Sequence, residues 1–160
     1  MSETYYIPGV CNIGKNEIRK RYLASLVGFV LVLLITYFLV SFDIFIPVSL
    51  VVLFFPFLLA FEGLFQARWK FCAGLASKNK YDFRGTADIK GTVEDEKDHW
   101  KDMQTAMRLH VYSVFLSLLF TAIIFGFFYV PALTAITPAD NGTITLKLLF
   151  NILRAGFSIF

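Results

Sequence analysis

From Tyr22 to Gln66 the chain carries two charges, Asp43 and Glu62, and from Leu109 to Ala139 it carries none. Helices that lie on a soluble core alternate apolar and polar faces around the axis, and stretches this uniform cannot do so. Each is long enough to cross a hydrocarbon core, which takes about 20 apolar residues of helix. The composition agrees: 57% of residues are hydrophobic, with 19 Phe, where a soluble domain holds about 45–50% apolar residues. The chain therefore reads as an integral membrane protein.

The polar residues divide the apolar stretches into spans. Residues 1–21 form an arm ending in a basic group, Lys15, Arg19, Lys20 and Arg21. A first span covers about 22–42 and a second about 46–66, with Asp43 in the short turn between them. So short a turn dictates a tight antiparallel hairpin, because backbone in lipid must bond to itself. Pro47 suits the start of the second helix, and Pro56 inside it predicts a kink. The first apolar run follows a polar stretch and leads into a second span, so it reads as a span rather than a signal peptide. Residues 67–110 are polar, with a helix expected from about Val93, capped by Thr92 and running unbroken into a third span at about 111–130 that ends at Pro131. Tyr81, Phe83 and Ile89, between Asn79 and Gly91, suggest a short extended excursion. After a loop, Lys147, Asn151 and Arg154 fall on one stripe of an otherwise apolar tail. That pattern fits an amphipathic helix in the interface better than a fourth span. The expected fold class is an all-α membrane protein: a transmembrane helical hairpin, a third transmembrane helix and a carboxy-terminal interfacial helix.

Four Lys/Arg in the arm and nine between Arg68 and His110, against none in the hairpin turn, place the arm and residues 67–110 in the cytoplasm and the carboxy terminus on the opposite side. Lys15, Arg19, Lys20, Arg21, Arg68 and Lys70 should meet anionic lipid headgroups. Membrane lipids and a homo-oligomer or larger membrane complex are the expected partners, and nucleic acid is not.

Gly9-Val10-Cys11-Asn12-Ile13-Gly14-Lys15-Asn16 fits a phosphate-cradling loop, except that Asn16 replaces the magnesium-binding Ser/Thr. No strand precedes it and a transmembrane helix follows, so it reads as a turn and cap. The same residues, with Glu17-Ile18 and Arg19 to Arg21, resemble the amino-terminal signature of small prokaryotic integral membrane proteins of unknown function. The stretch Phe61-Glu62-Gly63-Leu64-Phe65-Gln66-Ala67-Arg68, followed by Phe71-Cys72, is similar to a second segment of theirs. The resemblance covers the first half of the chain and supports the architecture, but implies no activity; the expected location is a prokaryotic inner or cell membrane.

Several residues are candidates for chemistry. The hairpin returns Cys11 and Cys72 to one membrane face, where Lys15, Arg68 and Lys70 would favour thiolates. With His99 or His110 they would make a redox pair or a metal site, set against two unrelated reduced thiols. Asp95, His99 and Asp102 share one helix face, which is a possible metal site or a solvated acidic surface. Glu62 is an acid inside a span, with Gln66 one turn on. It could carry a proton or cation, or anchor the helix by pairing with Arg68, Arg19 or Arg21. Ala24 and Gly28, Ser113, Ser117 and Thr121, and Ala122 and Gly126 repeat small residues every four positions, the spacing of close helix contact.

There is no Ser/His/Asp arrangement, HExxH or C-x-x-C, and the cofactor is unknown. The leading expectation is a non-enzymatic accessory or scaffold subunit. The alternatives are a thiol/His metal or redox protein, and an oligomeric ion or small-molecule conduit using Glu62.

Overall fold

The computed structural model describes residues 5–42 and 48–134, with side chains over 5–42 and 51–127. The elements run α1 (Lys15–Ser41), α2 (Val48–Arg68), α3 (Ala73–Ala76), β1 (Lys80–Asp82), β2 (Lys90–Thr92) and α4 (Glu96–Thr134). α1, α2 and α4 are long and apolar enough to cross a membrane. At 1.5 Å per residue, the 27 residues of α1 reach about 40 Å and the 21 of α2 about 31 Å. The 39 residues of α4 reach about 58 Å, nearly twice a hydrocarbon core of about 30 Å. The polar first part of α4 therefore projects beyond its apolar part. The hairpin turn at Asp43, Pro47, the loop after α4 and the expected interfacial helix at 143–160 lie outside the described residues.

α1 and α2 pack as a hairpin, and α2 also packs against α4. Small residues set the first contact. A Cβ built on Gly28 would lie 2.6 Å from the Ala60 nitrogen, and one on Gly63 would lie 2.7 Å from the Arg21 oxygen. Both glycines are therefore where the two backbones touch. Aromatic rings fill the groove beside them: Val32, Phe57 and Phe61 are buried, with Phe29, Phe65, Leu116 and Ile124 against them. On the α4 side Ser113, Ser117 and Thr121 form a buried stripe. Ser113 and Ser117 donate their hydroxyls to Leu109 and Ser113 carbonyls at 2.9 and 2.6 Å, so their polarity is satisfied within their own helix.

The short extended excursion expected between Asn79 and Gly91 is an antiparallel pair of β1 and β2, with Tyr81 opposite Gly91, so the fold is mostly rather than wholly helical. Two expectations about α4 are corrected. α4 begins at Glu96, not Val93. Thr92 is held in the strand opposite Lys80, and the Val93 N–H donates to the Asn79 carbonyl at 2.7 Å. The chain is thus committed to the hairpin until Asp95, whose carboxylate accepts the Lys97 N–H at 2.8 Å as the cap. Finally, α4 continues past Pro131 to Thr134. A proline this close to a helix end withholds few intrahelical hydrogen bonds.

Candidate functional site

The polar end of the bundle is built around the segment 9–16, which threads between three other parts of the chain. Asn12 sits at its centre, fully buried. Its side-chain amide donates to the Cys72 carbonyl at 3.0 Å and accepts the Cys72 N–H at 2.7 Å, as a backbone partner would. The Asn12 backbone carbonyl accepts the Asp82 N–H at 3.0 Å. Cys11 and Ile13 are buried on either side. Gly14 lies so close to β1's exit that a Cβ there would meet the Phe83 Cα at 2.7 Å. Each of the four residues Cys11-Asn12-Ile13-Gly14 thus has a packing or bonding reason for its identity.

The same segment explains why the phosphate-loop pattern is not a phosphate loop. Such a loop offers free N–H groups to the anion, and here they are consumed internally. Gly9 donates to the Asp102 carboxylate at 2.6 Å, and Val10 and Cys11 to the Ile7 carbonyl at 3.0 Å. Asn12 and Ile13 donate to the Lys70 carbonyl, and Gly14 to the Asp82 carbonyl. Lys15 donates to the Thr86 hydroxyl at 2.9 Å and Asn16 to the Arg84 carbonyl. The last two contacts cap α1, whose N-cap Gly14 has no side chain to do so.

Both thiols are buried and unbridged. The Cys11 thiol points at the Ile13 carbonyl, 3.9 Å away. At Cys72 the sulfur accepts a hydrogen bond from Arg21 Nη2 at 3.1 Å. The same nitrogen lies 3.5 Å from Glu17 Oε2, and Lys20 takes the other Glu17 oxygen at 2.5 Å. Arg21 is therefore turned inward, while Lys15, Arg19, Lys20 and Arg68 are exposed and Lys70 is half-buried.

Asp102 differs most from its sequence expectation. It lies on the acidic face considered as solvated or metal-binding, yet it is fully buried beneath the amino-terminal arm. Its carboxylate accepts the Gly9 N–H and the Tyr6 hydroxyl, the latter at 3.0 Å. Thr105 closes the latch by donating to the Gly9 carbonyl at 2.7 Å, and Tyr6 stacks on Tyr81 at 5.0 Å. Burial pushes the Asp102 carboxyl up, opposed by the bonds from Gly9 and Tyr6 and by nearby His99. Tyr6 is also pushed up, by burial and by the Asp102 carboxylate. The Nδ1 atom of His99 is buried with no hydrogen-bond partner among the described residues. No group of three or more His, Cys, Asp or Glu among the described residues is placed to hold a metal ion.

A third cluster joins α2 to α4. Glu62 accepts from Gln66 Nε2 at 3.1 Å and pairs with His110 Nδ1 at 3.2 Å. Its partner across the helices, among the described residues, is thus His110 rather than Arg68, Arg19 or Arg21. The small residues divide by location. Gly28, Ser113, Ser117 and Thr121 are buried within the chain, and Ala24 is half-buried. Ala122 is exposed, and nothing lies within 4 Å of a Cβ built on Gly126.

Sequence reasoning missed Asn12, Tyr6 and Arg84, whose partners were invisible without the fold. Arg84 grips the Asp82 carboxylate through Nε and Nη2 at 2.5–3.0 Å, which holds Asp82 below the usual carboxylate range. No family model, no curated protein and no solved structure matches the chain.

Proposed function

We propose that this protein is a non-enzymatic accessory or scaffold subunit of a membrane complex, joined to its neighbours through the outward face of α4. The observation that carries this reading is the composition of that face. Trp100, Met107, Val111 and Leu118 lie on one stripe of α4, opposite the buried Asp102–Thr121 stripe, and all four are exposed. Trp100 and Met107 stand on the polar part of the helix at 64% and 66% exposure, where lipid tails do not cover them. Lower on the same side come Ala122 and Gly126. Small residues facing outward from a span allow a second helix to approach closely. Residues first singled out for chemistry support the same reading: Cys11, Cys72 and Asp102 are buried in the polar end, where Asn12 ties Cys72 and the arm ties Asp102.

The cations gather at that end, which favours the cytoplasmic orientation expected from the positive-inside rule. The test is a photo-crosslinking residue at position 107 in native membranes, with Leu33 on the outward face of α1 as the control position. A defined adduct from 107 and none from 33 is expected. A lone monomer at both positions, unchanged on gentle detergent extraction, would refute the reading.

A second reading, a redox or soft-metal role for Cys11 and Cys72, is favoured by the Arg21 hydrogen bond to the Cys72 sulfur, which sets a guanidinium directly on one of the two thiols. It requires a Cys11–Cys72 bridge under mild oxidation, or metal binding that needs both thiols. A Cys11→Ser/Cys72→Ser protein with unaltered metal content and activity would end it.

A further inference from the structure

The expectation of lipid contact treats the arm's cations as a diffuse charge. The fold gathers some of them around one opening. A cleft of about 280 Å³ lies beside the first turns of α1, lined by Asn16, Glu17, Arg19, Lys20 and Arg84. Arg84 comes from the turn after β1, so the site is absent from any local stretch of sequence. We infer that this cleft binds the phosphate group of an anionic lipid headgroup.

Four features support the assignment. The first is depth. Arg19 and Lys20 precede Tyr22, where the apolar part of α1 begins, by three and two residues. That is about 3–5 Å along the axis, the level at which phosphates sit above the acyl chains.

The second is the preparation of Arg84. A guanidinium carries five N–H donors in a rigid fork. Asp82 engages Nε and Nη2 and fixes the plane, while the side chain stays 53% exposed. Nη1 has no part in that pairing, so one of its N–H groups and the second N–H of Nη2 remain as a parallel pair for a phosphate, which guanidinium recognises in bidentate fashion.

The third is charge. Arg19 is exposed and makes no ion pair among the described residues. Glu17, the acid lining the cleft, is already held by Lys20 and Arg21, so its repulsion of an anion is offset.

The fourth is size. The volume falls just below the range of about 300–1,000 Å³ of drug-sized ligand pockets, which suits a headgroup rather than a whole metabolite. Tyr22, three residues after Arg19 on α1, is exposed, which suits the interface, where Tyr is enriched.

The inference rests on the membrane reading of α1 but not on the scaffold role. The test is native mass spectrometry of the detergent-purified full chain. It is titrated with phosphatidylglycerol or with phosphatidylcholine of the same acyl chains, and separately with inorganic phosphate. The wild type should retain phosphatidylglycerol about thirtyfold more strongly than phosphatidylcholine, from two well-placed cations near the surface. Arg19→Gln/Arg84→Gln should remove that preference. Arg19→Gln alone, which disturbs no ion pair, should reduce it by about fivefold. Lys78→Gln/Arg108→Gln, exposed cations outside the cleft, should leave it within about twofold.

Equal losses from the two double variants would show general attraction to anions and overturn the site. An unchanged preference in Arg19→Gln and in its double variant would do the same. Displacement of phosphatidylglycerol by millimolar inorganic phosphate would assign the cleft to a soluble anion and overturn the lipid source. Crosslinking at position 107 is read independently, so failure of the headgroup site and failure of the scaffold reading remain distinguishable.

Discussion

Gly28→Ala puts a single methyl group where α1 and α2 touch. Its Cβ would fall 2.6, 2.8 and 2.9 Å from the nitrogen, Cα and Cβ of Ala60. Ordinary contact begins at 3.4 Å, so the helices must part locally by about 0.8 Å. The obstacle is mainly backbone and cannot swing away as a long side chain could. A gap of that size forfeits a quarter to a half of the dispersion energy of the atoms facing it. Those atoms belong to Val32, Phe57 and Phe61, the buried cluster of the hairpin. Overpacking of this kind costs about 1–3 kcal/mol. Against it stands the better helix propensity of Ala over Gly, up to about 1 kcal/mol. The clash wins, and the net loss should be about 1–2 kcal/mol.

Gly126→Ala is the matched control, because it gains the same propensity and meets nothing within 4 Å. The two substitutions should therefore shift stability in opposite directions. The assay is unfolding in mixed micelles with increasing dodecyl sulfate, followed by near-ultraviolet dichroism. Trp69, packed on Phe65 and Tyr112, reports the assembled bundle. A Gly28→Ala protein as stable as the wild type would refute the close approach of α1 and α2.

Three further outcomes test the polar end. Asn12→Ala should lose two buried hydrogen bonds and leave the Cys72 amide unpaired, costing about 2–4 kcal/mol; alkylation of Cys72 by a water-soluble maleimide should speed up accordingly, and an unchanged rate would contradict the clamp. Burial raises the folded Asp102 carboxyl above its ordinary 3.8, so its protonation favours folding; that contribution is complete below 3.8 and is lost as pH rises through the folded value. Wild type should therefore gain stability relative to Asp102→Asn on acidification from neutral pH, and a parallel pH dependence of the two unfolding midpoints would sink the assignment. Glu62→Gln keeps the side chain's bulk but replaces the carboxylate beside His110, a contact with side chains 27% and 52% exposed, so it should cost no more than about 1 kcal/mol; under the scaffold reading proton-coupled flux in reconstituted vesicles stays the same, and a changed flux would favour a conduit.

The spans were legible because the absence of charge is a property of the chain in one dimension. Which way a helix turns its small residues is not. Ser113, Ser117 and Thr121 face α2, while Ala122, at the same kind of spacing, faces outward. Nothing local distinguishes the two sets. Gly28 was legible as a contact residue, but Ala60, its partner, was not, because the hairpin register decides the match.

Asp102 read as one more acid on a polar helix. Its burial depends on an arm that begins more than ninety residues earlier. Arg84 was hidden for the same reason: it meets α1 only once the chain has turned back at β1. The late start of α4 was missed because Thr92 is as good a strand residue as a cap, and its pairing with Lys80 decided between them.

The latch between Tyr6 and Asp102 also orders the assembly of the protein in time. The two residues are 96 positions apart. At about 5–20 residues per second, a ribosome takes about 5–20 s to cover that interval. During it the hairpin of α1 and α2 has left the ribosome, while the arm's donors at Gly9, Asn12 and Gly14 wait for Asp102, Lys70 and Asp82. A segment made before α1 is thus among the last to be fastened. Its fastening signals that the projecting start of α4 has arrived, so a chain truncated before residue 102 would carry an open arm that quality-control proteases could recognise.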